Sequence, residues 1–121
     1  MFRTLFIALV LLLPGCREEV ELLTRQDLAF ELTNNRKIAF ERFHYSGTAE
    51  LQTDQTFEVI IPRLGRDTGT WWLEGDMICS RWANFQQGRE LCAVVGRKQD
   101  GLYRGQSPRS GIFLGDFRFL N

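Results

Sequence analysis

Lysine is nearly missing from this chain of 121 residues, occurring only at Lys37 and Lys98, and there is one histidine, His44. Basic and acidic side chains balance at 15 each. A nucleic-acid binder draws most of its affinity from a clustered basic excess on phosphates, so this balance argues against that class. One histidine and three cysteines, none in a C-x-x-C pair, make neither a zinc site nor a redox dithiol. His44 would need Ser46 or a cysteine for a catalytic dyad, yet no orienting acid accompanies it, and it reads as a half-exposed strand residue. The glycines Gly65, Gly69 and Gly75 fit no phosphate-loop spacing, and turns explain them. Carboxylates such as Glu58, Glu74, Asp76 and Asp100 fall at turn and outward strand positions, with no recognisable acid and base pair. These absences lead to the expectation of a protein that is not an enzyme and uses no cofactor or metal.

A run long enough to span a bilayer is lacking too. The apolar stretch from Leu5 to Leu13, preceded by Arg3, falls well short of the roughly 20 residues a transmembrane helix needs. Its length is that of a secretory signal, which assigns residues 1–15 to a signal peptide. The following Leu13-Pro14-Gly15-Cys16 resembles the lipobox of bacterial lipoproteins, with Pro14 in place of the usual small or hydroxylated residue. That resemblance implies lipidation of Cys16, a membrane lipid anchor and a cell-envelope location. Arg17 is not the aspartate of an inner-membrane retention signal, so the outer membrane facing the periplasm is expected. Residues 16–22 then form a lipidated tether and 23–121 a single β-rich domain.

What is plentiful is aromatic and alternating. Thr24, with Asp27 three residues on, forms a capping-box pattern ahead of Leu28 and Leu32, which predicts one short helix ended by Asn34 and Asn35. Beyond it the period shortens to two. Lys37 to Tyr45 reads as a strand with a bulge, Gly47 as the turn that follows, and Thr48 to Gln52 and Thr56 to Ile61 as a hairpin joined by Thr53-Asp54-Gln55. Pro62 stops that strand, and Arg63 to Asp67 reads as a polar loop.

Trp71 and Trp72 are neighbours in a strand and so point to opposite faces. Gly75-Asp76 turns into Met77 to Ala83, and Asn84 to Gly88 turns into Arg89 to Val95. Using Cys16 for lipid leaves Cys79 and Cys92 to form a disulfide bond. Direct opposition of the two fixes a register in which Arg81 faces Glu90, Met77 faces Val94, Ile78 faces Ala93, Ser80 faces Leu91 and Trp82 faces Arg89. Each pair is chemically compatible, and a slip of one residue would lose them together. Asp100-Gly101 and a turn around Pro108 lead into a closing strand from Gly111 to Asn121.

The positions Leu23, Thr24, Leu28, Gly69, Thr70, Trp71, Gly75, Asp76, Cys79, Trp82, Cys92, Val94, Asp100, Gly101 and Tyr103 give the chain its G-T-W, G-D-x-x-C, C-x-V-V and D-G-x-Y pattern. In this it resembles a group of small secreted proteobacterial proteins of unknown function. That resemblance is structural and implies no activity. The expected fold is mainly β, an antiparallel curled sheet or small barrel of about seven or eight strands with the helix across an open end. For function, the first expectation is an envelope lipoprotein that binds a protein partner or envelope component, not nucleic acid, through Trp72, Trp82 and Phe85 rimmed by Arg81 and Arg89. The second is a carrier of a small apolar ligand inside the barrel, and the third a carboxylate-based hydrolase. An enclosed apolar pocket would favour the carrier.

Overall fold

The structure is a computed structural model and describes residues 20–121. The predicted signal peptide, Cys16 and most of the tether lie outside these residues. After a short strand β1 (Glu21–Leu22) comes the helix α1 (Arg25–Glu31). Eight further strands follow: β2 (Arg36–Arg42), β3 (Tyr45–Leu51), β4 (Thr56–Ile61), β5 (Gly65–Glu74), β6 (Met77–Trp82), β7 (Glu90–Arg97), β8 (Tyr103–Gln106) and β9 (Phe113–Phe119). All pairings are antiparallel; β2 and β9 pair across the chain's long return, and β7 with β8 closes the ring. The mainly β expectation holds: eight strands form a closed barrel, and β1 adds to β7 beside the start of β6. Glu21 and Leu22, within the stretch read from sequence as the tether, pair with Arg97 and Gly96 of β7.

The helix forms where its cap dictates. The Thr24 hydroxyl accepts from the Asp27 N–H at 3.2 Å, and the Asp27 carboxylate accepts from the Thr24 N–H at 2.9 Å. Two orphan donors of the first turn are thereby satisfied. Leu28 and Leu32 face into the barrel, Arg36 donates to the Glu31 carboxylate at 3.1 Å, and the Arg25 N–H donates to Asp76 at 2.9 Å. These contacts hold α1 over one end of the barrel, called here the helix end. The β2–β3, β4–β5, β6–β7 and β8–β9 connections lie together at the opposite end, the loop end.

Two sequence expectations need correction. Lys37 to Tyr45 is not one bulged strand turned at Gly47. It is β2, a turn at Phe43 and His44, and the start of β3, with Phe43 taking a φ of 52°. A phenylalanine in left-handed backbone gives no turn signal in sequence. Gly47 instead faces inward opposite Phe40, where a Cβ would come 2.9 Å from the Phe40 ring and within 2.5 Å of the Ile60 carbonyl oxygen. Nor is Arg63 to Asp67 all loop. The turn is only residues 62–64, and Asp67 lies buried within β5 opposite Val59.

The hairpin register holds from Met77–Val94 through Arg81–Glu90, with Cys79 opposite Cys92. The disulfide is present, with Cα atoms 4.0 Å apart. Pairing ends before Trp82 and Arg89, because residues 83–89 swing out as an irregular loop held by Asp67. Gly69 faces Trp82 across β5 and β6, and a Cβ there would run into the Arg81 carbonyl oxygen and the Phe57 ring.

Candidate functional site

Inward positions alternate along every strand of a barrel, and here they carry Ile38 and Phe40, Ala49 and Leu51, Phe57 and Val59, Trp71, Ile78 and Trp82, Val95, Tyr103, Phe117 and Phe119. These side chains do not fill the interior. A cavity of about 210 Å³ remains at the helix end, roofed by Leu23, Leu28 and Leu32. Toward the loop end the interior closes as Trp82 packs edge-on against Phe57, with ring centroids 5.4 Å apart, and against Phe85 at 5.9 Å. Tyr103 stacks on Phe117 at 5.3 Å and meets Phe119 edge-on at 5.2 Å, forming a second wall.

The polar groups of the lining are already engaged. Trp71 Nε1 donates to the carbonyls of Gln52 at 3.0 Å and Thr56 at 3.1 Å. Glu31 is paired with Arg36, whose guanidinium lies 3.8 Å over the Phe119 ring. A hydrogen bond with the Tyr103 hydroxyl raises the Arg97 pKa; burial works against that rise, and Tyr103, Glu21 and Glu31 support it electrostatically. What remains exposed to the cavity is hydrocarbon and aromatic surface, apart from Ser80 and the edge of Glu31. Such a site selects by shape and apolar area, not by hydrogen bonds.

The five residues of the sequence-derived binding surface are divided by the barrel wall. Trp82 points inward and lines the cavity, and Phe85 packs behind it. Trp72 lies half-buried on the outer face opposite Cys79, and Arg81 is exposed on that face with Glu90 at 3.8 Å. Arg89 sits in the β6–β7 loop, donating to Gln87 at 3.2 Å. Sequence reasoning had Trp82 on the face away from the cysteines, but alternation alone does not say which face is inside. Ala49, Ile78 and Val95, now part of the lining, carried no functional signal because any strand core uses them.

Asp67 is the one buried carboxylate among the described residues. It accepts from the backbone N–H groups of Asn84 at 3.0 Å and Phe85 at 2.8 Å, and from the Asn84 side chain at 3.1 Å. Burial alone would raise its pKa, but the donors of Phe85, Asn84 and Thr68 outweigh burial and hold it below the ordinary aspartate value. With its lone pairs committed to the β6–β7 loop, Asp67 is a structural tie. Glu74 and Glu90 approach the outer-face disulfide, their oxygens within 4.8 Å of the Cys79 and Cys92 sulfurs. Sulfurs joined in a disulfide are not thiolate ligands, so the four do not form a metal site in the oxidised chain. His44 is exposed in its turn, and Ser46 is exposed on β3. Glu58, Glu74, Asp76 and Asp100 all lie outside the cavity lining.

No protein family, curated protein or solved structure compared with the chain matches it.

Proposed function

We propose that the protein binds a small apolar molecule inside its barrel and acts as a carrier in the cell envelope, attached through a lipidated Cys16. The observation that carries the ligand is the cavity itself. The cavity, about 210 Å³, is apolar over nearly all of its lining, so a hydrocarbon seated there leaves water without stranding a polar group. For scale, an apolar cavity of about 150 Å³ is enough to hold benzene. The proposed ligand is somewhat larger, a compact hydrocarbon, a small terpenoid or a short acyl chain, with at most one polar group set toward Ser80 or Glu31. Attachment rests on the Leu13-Pro14-Gly15-Cys16 sequence and on a disulfide that suits an oxidising compartment.

Titration of the intrinsic tryptophan fluorescence with a series of linear alcohols of increasing length tests the binding. Trp71 and Trp82 both line the cavity, so saturable 1:1 changes are expected, with affinity rising along the series until the cavity is full and then falling. Ala49→Trp fills the space from an inward position and should weaken binding at least tenfold while circular dichroism stays that of the folded barrel. Binding that is unsaturable, or indifferent to Ala49→Trp, would refute the carrier. Intact-mass analysis of the chain from its native membrane tests the attachment separately, through the acyl mass on Cys16.

A further inference from the structure

The charge balance of the whole sequence conceals a segregation along the barrel. The four connections at the loop end, residues 43–44, 62–64, 83–89 and 107–112, contain Arg63, Arg89, Arg109 and His44 and no Asp or Glu. Arg42 and Arg66 flank them at strand ends beside Glu41 and Asp67, and Glu90 opens β7; among the described residues none of these five arginines pairs with a carboxylate. At the helix end, the turns at residues 52–55, 75–76 and 98–102 carry Asp54, Asp76 and Asp100 against Lys98. The loop end also holds three large apolar side chains in solvent, Phe43 at 68%, Leu64 at 60% and Ile112 at 62% exposure, each on a different hairpin.

Between two of these hairpins lies a cleft of about 490 Å³ that includes Arg42, Phe43, Tyr45, Gln86 and Arg89. Glu90, at its edge, is met by Arg81. Arg42 lines this cleft with its guanidinium 5.6 Å from the centre of the Phe43 ring. Separate apolar tips among unpaired arginines match the interfacial zone of a bilayer, where side chains reach below the headgroups and guanidinium groups meet phosphates.

We propose that the loop end docks on a bilayer surface rich in anionic phospholipid, with Phe43, Leu64 and Ile112 entering the headgroup layer and the arginines, Arg42 in its cleft included, on lipid phosphates. This surface is independent of the cavity. Residue 20 lies at the helix end, so an anchor on Cys16 holds that end toward its own membrane, and the surface met by the loop end is that of a facing bilayer.

The test uses the lipidated chain from Cys16 onward, held on beads through a C-terminal tag, which leaves the loop end outward, and measures capture of labelled vesicles. Vesicles of phosphatidylcholine with phosphatidylglycerol at about 30 mol% should be captured about tenfold or more over pure phosphatidylcholine, with the excess fading as salt rises toward about 0.5 M. The lipid on Cys16 contributes to both vesicle types, so the ratio reports the charged surface. R63E/R66E/R109E should bring the ratio to about one, and F43S/L64S/I112S should lower total capture several-fold. R25E/K37E, at the helix end, should leave the ratio unchanged. Equal capture of both vesicle types would overturn the proposal, as would a ratio that survives the loop-end variant or falls equally in the helix-end one.

Discussion

Asp67 shows how one side chain organises a barrel end. Its carboxylate gathers the N–H groups of Asn84 and Phe85, and so fixes the β6–β7 loop and the Phe85 ring behind Trp82. Asp67→Asn keeps the shape but turns an amide toward N–H donors, leaving at least one unsatisfied. The expected cost is about 2 kcal/mol, measured by urea unfolding, together with faster hydrogen exchange in residues 83–89. Nothing in the local sequence announced this role, because Arg63 to Asp67 reads as a polar loop. The burial of Asp67 follows from the β4–β5 register, which sets it opposite Val59. Phe43 is the converse case. Its apolar character pointed to strand interior, whereas it holds a turn and stands in solvent.

At the scale of elements, the legible features were those whose chemistry is local. Thr24 and Asp27 announced the helix because a capping box is complete within four residues. The Cys79–Cys92 hairpin announced its register because four cross-strand pairs besides the cysteines agree with it. Closure was not legible. The β2–β9 and β7–β8 pairings join segments whose alternation suits an open sheet equally well, and the inward face of β6 follows only from closure. Because α1 roofs the cavity, its stability should govern access to the ligand. Thr24→Ala removes the cap and should cost about 1 kcal/mol. Stopped-flow displacement should then show faster ligand release, with affinity falling less than the release rate rises. An unchanged release rate would mean that the ligand leaves by another path.

Taken whole, the molecule is a barrel whose two ends differ in charge and closure, joined by a wall that a disulfide ties on its outer face. Three of its aspartates share a direction of pKa shift. Asp67 is lowered against burial by its backbone donors, Asp27 is lowered first by the Thr24 backbone N–H and then by its hydroxyl, and Asp54 first by the Thr56 hydroxyl and then by its backbone N–H. A depressed folded value means the carboxylate form is favoured by folding. The contribution is complete above the unfolded aspartate value of about 3.9 and is lost as pH falls through the lower folded values. Stability from these groups should therefore be flat from neutral pH down to about 5 and fall steeply below about 4. Thermal unfolding across this range should show that limb, with Asp67→Asn making it shallower, since Asp67 alone of the three is buried.

The central claim is that the interior of the barrel is a ligand site. Its most direct test is nuclear Overhauser measurement on the chain saturated with the best-binding alcohol of the fluorescence series. Cross-peaks from the ligand chain to the methyl groups of Ala49, Ile78 and Val95, which line the cavity from three different strands, are the predicted result. Cross-peaks confined to outer-face residues such as Ile60 or Met77, with none to those three methyls, would contradict it.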